Sequence, residues 1–206
     1  LSHPCALADG WGKAGMDNRI ADIHDYWFGE LDDAGMSAPS LHALWFTPSE
    51  TNDNKCRERF GPALEQALAG GLQDWTDSDR GLIALVVLLD QFSRNIHRGT
   101  PGAFTGDERA LALSQRCIAS GHYRRLPAIH QVFLYMPLEH CENLEVQEEC
   151  VTLFEELAAV TGQQQIDGFT RYAIAHREVI AQFGRFPHRN AILGRESSAA
   201  ELAYLE

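Results

Sequence analysis

The chain has 206 residues, and its 17 Lys and Arg against 29 Asp and Glu give a formal net charge of −12 at pH 7. That charge argues against non-specific nucleic-acid binding, because neutralising phosphates requires a basic surface. With 45% hydrophobic and 22% charged residues, the composition is typical of one globular domain and excludes a disordered chain. Only Lys13 and Lys55 are lysines, so the positions of the arginines, which suit paired contacts with carboxylate or phosphate, are informative.

The cysteines and the apolar runs exclude further classes. None of the five cysteines belongs to a CxxC pair, so the sequence predicts neither a zinc ribbon nor a thioredoxin-like redox site. We expect the cysteines to be reduced thiols, as in cytoplasmic proteins. No apolar run reaches the roughly 20 residues of a membrane-spanning helix. We therefore expect a cytoplasmic protein that binds neither membranes nor nucleic acids, and its oligomeric state stays open.

Residues 1–15 differ from the rest of the chain. They form a loose, glycine-containing stretch, and we expect an added or leader segment there, a natural start at Met16 and one helical domain over 16–206. The segment GWGKAG (10–15) fits the dinucleotide-binding pattern GxGxxG, but no strand precedes it, so we interpret it as a chance match. The usual signatures of phosphate-binding loops, serine hydrolases, zinc peptidases and di-iron proteins are absent, and we expect no cofactor and no metal.

Apolar residues recur at helical spacing in nearly every later segment. The predicted helices cover about residues 20–31, 49–69, 79–94, 105–120, 127–137, 144–160 and 169–183, with a short apolar turn at 41–46 and a last short helix from 198. Since no hairpin signal joins alternating apolar runs, the predicted fold class is all-α, with about eight helices joined by short loops.

Capping residues and prolines set the predicted helix boundaries. The predicted caps are Asp17, Ser49, either Asp77 or Asp79, Thr105 in a capping box with Glu108, and Ser198 in a capping box with Glu201. Pro137 is expected to interrupt its helix and to leave backbone groups that need partners. The stretch LIALVVLL (82–89) is apolar on all sides and predicts a helix that is buried all round.

The first polar cluster, DQFSRNIHR (90–98), directly follows this apolar helix. Asp90 and Arg94 are one turn apart and can pair on one helix face. Two interpretations stay open. The pair is either a satisfied ion pair that ends a buried helix, or part of a polar patch that the rigid helix holds at the rim of a cavity.

The second polar cluster, FLYMPLEHCE (133–142), contains Glu139 and His140. Glu139 and Glu142 are neighbours at i and i+3, near enough to share a metal ion or a guanidinium, although a polar helix face is the commoner explanation. Further along, His176 lies on an apolar helical stripe. That position favours a hydrogen-bonded core histidine, and the alternative is a base tuned by burial and a nearby carboxylate.

The third polar cluster, FGRFPHRNAILGR (183–195), places Arg185, His188, Arg189 and Arg195 in a proline-containing loop. One interpretation is internal pairing with the acidic stretch 139–156. The other is an anion site, since arginine forks and loop N–H groups suit phosphate or carboxylate.

Five segments together resemble a known family. They are WFGELDD (27–33), LWF (44–46), LLDQFSRNIHRGTPGAF (88–104), FLYMPLEHCE (133–142) and FGRFPHRNAILGR (183–195). In this order they are similar to a bacterial family known as domain of unknown function 924, and the resemblance covers about Ile20 to Leu205. It implies an all-α, TPR-like superhelix of antiparallel helix pairs, and no established activity, substrate or cofactor. Ser93 stands where we expect the family to have proline, and Cys141 where we expect serine.

The motif positions of this resemblance define the candidate ligand-binding residues. They are Asp90, Arg94, Asn95, Arg98, Glu139, His140, His176, Arg185, His188, Arg189 and Asn190. Helix ends and loops of stacked helix pairs can line one concave surface. We therefore expect the three clusters to converge on one pocket, with the guanidinium groups of Arg94 and Arg189 on the same side of the molecule.

Three functions are compatible with these residues. The first is a helical binding domain whose Arg- and His-lined concavity holds a small anionic ligand or an acidic peptide end. The second is an enzyme that pairs His140 or His176 with Asp90 or Glu139, beside an arginine clamp, for general acid–base work on a phosphorylated or carboxylated metabolite. The third is a TPR-like protein-interaction scaffold, which rests on analogy of fold alone.

Overall fold

The computed structural model describes residues 17–206, and within them the chain is helical without a β-strand, which confirms the all-α class. The expected leader, the start at Met16 and the GWGKAG motif lie outside the described residues. No helix in the described part is long and apolar enough to cross a membrane. The four cysteines of this part are free thiols.

The helices, numbered in chain order, include every predicted segment, and one further short helix, α10, lies inside the segment 183–195 that the sequence predicts to be a loop. They are α1 (Asn18–Trp27), α2 (His42–Phe46), α3 (Glu50–Leu68), α4 (Asp79–Val87), α5 (Ser93–Ile96), α6 (Asp107–Ala119), α7 (Ala128–Glu139), α8 (Leu144–Thr161), α9 (Gln164–Phe183), α10 (Asn190–Leu193) and α11 (Ala199–Leu205). Helices α8 and α9 are joined through Gly162 in the left-handed conformation and pack against each other. The TPR-like superhelical arrangement and the single domain over 16–206 stay predictions.

Most predicted caps are confirmed. Asp17 Oδ1 accepts a hydrogen bond from the N–H of Arg19, Ser49 caps α3 in the same way, and Ser198 with Glu201 forms a complete capping box. The predicted cap of α4, either Asp77 or Asp79, is wrong. The cap is Ser78, which lies between them, because its hydroxyl accepts a hydrogen bond from the N–H of Gly81.

The capping box predicted at Thr105 is wrong. The Thr105 hydroxyl donates instead to the carbonyl of Gly102, and α6 begins two residues later, after Gly106. Gly106 lies directly against the backbone of Leu89, since a Cβ at this position would be 2.2 Å from the Leu89 carbonyl oxygen. This contact fixes where α6 begins and places Asp107 in its first turn.

The prediction that Pro137 interrupts its helix is also wrong, because α7 continues through it to Glu139. The buried Gln147 side chain explains how the helix end is held. Its Nε2 donates to the carbonyl of Glu139 at 2.6 Å and to that of Cys141 at 2.8 Å. The carbonyls that a helix leaves unpaired at its C-terminus thus find a partner on α8.

The predicted fully buried helix lies at the centre of the core. Residues from Ile83 to Leu89 are at most 1% exposed, as the apolar run 82–89 predicts. At Leu88–Phe92 the helix widens into a π-helical segment and then continues as α5, so the chain is helical without a break from Asp79 to Ile96. Such wide turns are frequent at functional sites. Here the turn carries two buried polar side chains, Asp90 and Gln91.

Candidate functional site

A cavity of about 300 Å³ lies beside the π-helical segment. Helix α2, α5 with the residues that follow it, the end of α7, and α9 supply the remaining walls. The lining residues are Trp45, Phe46, Gln91, Arg94, Asn95, Arg98, Met136, Glu139, His140, Phe169, Tyr172 and His176. One side is therefore aromatic and apolar, and the other carries carboxyl, imidazole, amide and guanidinium groups.

Asp90 and His140 form a short hydrogen-bonded pair at the polar side. Asp90 is 1% exposed, and its Oδ1 lies 2.7 Å from His140 Nδ1, while its Oδ2 accepts from Gln91 Nε2 at 2.6 Å. Burial disfavours the charged carboxylate, but the attraction of His140 and of Arg94 outweighs burial and lowers the pKa of Asp90 to about 2. Asp90 is therefore ionised at neutral pH.

The ionised Asp90 fixes the tautomer of His140. A carboxylate only accepts hydrogen bonds, so Nδ1 of His140 carries the proton. Burial, followed by the charge of Arg94, lowers the pKa of His140 and keeps its ring neutral near pH 7. The lone pair of the neutral ring is then on Nε2, which has no hydrogen-bond partner among residues 17–206.

Glu139 has the opposite protonation state. It is 4% exposed, its Oε1 lies 3.2 Å from His176 Nδ1, and its Oε2 is buried without a partner in the described part of the chain. Burial, and then the negative charge of Asp90, raise the pKa of Glu139 to about 8. At neutral pH this carboxyl is consequently protonated and uncharged, while the neighbouring Asp90 is charged.

His176 is the second neutral imidazole of the cavity. Its Nδ1 donates to the carbonyl of Tyr172, one turn earlier on α9, at 2.8 Å. Burial lowers the pKa of His176 to about 4. The rings of His140 and His176 lie with their centroids 6.4 Å apart, and in both neutral rings the lone pair is on Nε2.

The arginines that line the cavity are already paired with carboxylates. Arg94 holds Asp107 with two bonds, from Nη1 at 2.6 Å and from Nη2 at 3.0 Å, and its Nη1 also lies 3.3 Å from Asp90 Oδ1. Arg98 holds Asp53 with two bonds, from Nε at 2.6 Å and from Nη2 at 2.9 Å. Both charges are thus matched by carboxylates, although Arg98 Nη1 keeps its two N–H groups without a partner in the described part of the chain.

Arg189 joins the third cluster to the other two. It is 7% exposed, its Nη2 donates to the carbonyl of His140 at 2.9 Å, and its guanidinium lies between the rings of Phe104 and Phe186. The guanidinium of Arg94 lies over the same Phe104 ring. Arg94 and Arg189 are therefore on the same side of the molecule, as the convergence hypothesis requires.

The prediction that the third cluster converges on the same pocket is wrong for Arg185, His188 and Asn190. Arg185 holds the buried Glu201 with two bonds at 2.7 and 2.8 Å, and Asn190 donates to Ser197. His188 is exposed, and none of these residues lines the cavity. The physical reason is the capping box of α11, which buries Glu201 beside Arg185. Glu201 lies outside the acidic stretch 139–156, and pairing with that stretch is seen instead for Arg195, which holds Glu142.

Glu142 also lies away from Glu139, since it pairs with Arg195 at 2.7 Å and accepts from the N–H of Phe186. The two glutamates therefore do not share a ligand. Within residues 17–206 no group of three or more His, Cys, Asp or Glu side chains is arranged to hold a metal ion.

Sequence reasoning missed two sets of site residues. The aromatic wall formed by Trp45, Phe46, Phe169 and Tyr172 has the spacing of ordinary core residues, and nothing in the sequence separates it from the core. The carboxylate partners Asp53 and Asp107 lie in the first turns of α3 and α6. Acidic residues in the first turn of a helix are explained by the helix dipole alone, so the sequence did not indicate that these two belong to the site.

Among residues 17–206, the fold and the cavity define an all-helical protein with a polar site built from histidines, carboxyls and arginines. The chain belongs to the family described as bacterial protein of unknown function (DUF924), whose model matches residues 23–206. It is 34% identical to a solved protein of unknown function, ATU0120 from Agrobacterium tumefaciens, over 91% of this chain and 96% of that one, with a TM-score of 0.76. No curated protein matches the chain.

Proposed function

We propose that the protein is an enzyme that binds a small organic molecule in this cavity, and that His140 is its general base. One observation carries the proposal. The Nδ1–H of His140 is held at 2.7 Å by the ionised Asp90, which leaves a basic Nε2 in a cavity. A base oriented by a buried carboxylate, in a cleft with further perturbed groups, is typical of general acid–base catalysis.

The roles of the two residues differ. Asp90 orients the ring and stabilises the imidazolium that forms, and His140 Nε2 accepts the proton from the substrate. Arg189, through its bond to the carbonyl of His140, holds the backbone of the base in place and is a positioning residue.

The other two candidate functions have less support. A small anion is attracted by unbalanced positive charge, but Arg94 and Arg98 are each paired with a carboxylate through two bonds. A peptide-binding scaffold needs a broad open groove, whereas the cavity measures about 300 Å³ and suits a small molecule.

The tautomer and the basicity of His140 provide the test. Nitrogen-15 NMR of histidine-labelled protein is expected to show the Nδ1–H tautomer of His140 through the neutral pH range, and Asp90→Asn is expected to change it. A ligand-observed NMR screen with amines, alcohols, carboxylic acids and phosphate esters is expected to find binding that His140→Gln weakens. An Nε2–H tautomer, or no compound that depends on His140, would overturn the proposal.

A further inference from the structure

The polar side of the cavity offers several hydrogen-bond acceptors, and the charges of its two arginines are matched by carboxylates. Four acceptor atoms take no hydrogen bond from any residue among 17–206, namely His140 Nε2, His176 Nε2, Gln91 Oε1 and Asn95 Oδ1. Glu139 Oε2, which also has no partner there, becomes a fifth acceptor when this carboxyl ionises. All five residues line the cavity. Of these five atoms, Glu139 Oε2 is fully buried, and a buried polar atom without a partner is costly, so a ligand that reaches this end is expected to supply a donor.

The orientation of the two amides follows from their partners. Gln91 Nε2 donates to Asp90 at 2.6 Å, and Asn95 Nδ2 donates to Asp53 at 2.9 Å. Carboxylates only accept, so the amide nitrogens must face them and the amide oxygens remain for the ligand. The same carboxylates hold Arg94 and Arg98, the cationic donors of the cavity.

The apolar side of the cavity consists of aromatic rings. The rings of Phe46 and Tyr172 are stacked at the surface, with an angle of 9° between them, and are 43% and 59% exposed. Phe169 contacts Phe46, and Trp45 lies beside both. Aromatic faces attract organic cations and also pack well against hydrocarbon.

We infer that the cavity takes an organic amine as its substrate, bound as the ammonium ion with its N–H groups on these acceptors and Glu139 as its counter-ion. The hydrocarbon part of the amine packs against the aromatic wall. This inference rests on the proposed function and names the substrate class for the same site.

Binding of an ammonium ion changes the protonation of Glu139. The groups that face this carboxyl are Asp90 from the π-helical segment, His176 from α9 and Cys150 from α8. With a pKa of about 8, Glu139 carries about 0.9 proton at pH 7 in the empty cavity. The incoming cation stabilises the carboxylate, and the O–H bond of Glu139 breaks with release of that proton to the solvent. A carboxylate ligand would instead cause proton uptake by a histidine.

Isothermal titration calorimetry distinguishes these cases. The probes are phenylalkylamines from benzylamine to phenylbutylamine, whose chain lengths vary the distance spanned between the aromatic wall and Glu139. The alcohol and the carboxylic acid of the same carbon skeleton serve as the matched neutral and anionic compounds. At pH 7, in phosphate and in HEPES, neither of which contains a primary amine, at least one amine is expected to bind about tenfold tighter than its alcohol. The buffer dependence of the heat is expected to show release of nearly one proton per amine bound.

Glu139→Gln tests the counter-ion. It is expected to remove both the preference for the amine and the proton release, while binding of the alcohol persists. Glu149→Gln makes the same chemical change on an exposed position of α8 and is expected to leave amine binding unchanged. Circular dichroism confirms that both variants are folded.

Three results would overturn the inference: no amine tighter than its alcohol, tighter binding of the carboxylic acid with proton uptake, or proton release that persists in Glu139→Gln. None of them decides the proposed function. Alcohols or acids whose binding depends on His140 would leave His140 as the base and remove only the amine. An Nε2–H tautomer of His140 would remove the base even if amines bind.

Discussion

Because the carboxyl of Glu139 is uncharged in the native protein, it makes the free energy of unfolding depend on pH. A single substitution of Glu139 isolates this contribution. In the native protein, burial and then the charge of Asp90 raise its pKa from 4.5 to about 8. An unfolded chain has the ordinary value. Between these two values the native state binds more protons than the unfolded state, so the free energy of unfolding falls as pH rises, and the loss is complete above about pH 8.

The size of the effect follows from the width of this window. Each pH unit removes about 1.4 kcal/mol from the free energy of unfolding, so the interval from about pH 5.5 to 7.5 removes about 2.5 kcal/mol. The buried histidines His24, His130 and His176 have lowered pKa values and act in the opposite direction below about pH 6.5. His24 and His130 pack against each other and are present with and without the substitution, so their contribution cancels in the difference between the two proteins. His176 contacts Glu139, but its native pKa of about 4 lies below the interval, and it stays neutral there.

Glu139→Gln keeps the shape of the side chain and removes its ionisation. We expect the stability of the wild-type protein, relative to this variant, to fall by about 2.5 kcal/mol between pH 5.5 and 7.5. Urea denaturation at three pH values within the interval measures it. For the exposed control Glu149→Gln the corresponding difference is expected to stay constant. A difference for Glu139→Gln that also stays constant, within about 0.5 kcal/mol, would show that the native carboxyl is already ionised at pH 5.5 and would refute this reasoning.

Two further substitutions test the packing around the site and the acid sensitivity of the core. Gly106→Ala places a methyl group 2.2 Å from the carbonyl oxygen of Leu89, so we expect it to destabilise the protein by about 2 kcal/mol in urea denaturation. Unchanged stability would show that α6 does not contact the π-helical segment. Burial lowers the pKa of His130 to about 3, so the wild type loses stability as pH falls below about 6.5. Between pH 6.5 and 5, His130→Phe is expected to lose about 1.6 kcal/mol less than the wild type. Equal acid sensitivity in both proteins would contradict the buried, neutral state of His130.

The helix boundaries show which parts of the fold were predictable. The caps at Asp17, Ser49 and Ser198 are correct because a cap is decided by side chains and N–H groups within one helical turn. The predictions at Thr105 and Pro137 are wrong because distant parts of the chain decide these two ends. At one end Gly106 packs on Leu89, and at the other the side chain of Gln147 bonds to the carbonyls.

The same distinction between local and long-range determinants applies to the candidate site. The sequence indicates both histidines and both carboxyls of the site, and it offers His140 with Asp90 and His176 with Glu139 among several possible pairings. It does not predict that the arginines of the cavity pair with Asp53 and Asp107. Nor does it predict that two neighbouring carboxyls have opposite protonation states.

The sequence by itself determined the all-α class, the buried helix at 82–89, most of the caps and the family, because these depend on local spacing and on motifs that are continuous in the chain. Only the tertiary structure decided the pairing of Asp90 with His140, 50 residues away, and the burial of Glu139 beside His176. The physical reason is that the charge state of a buried group is set by desolvation and by the charges packed against it. Those neighbours come from helices that are far apart in the chain and meet only in the folded protein.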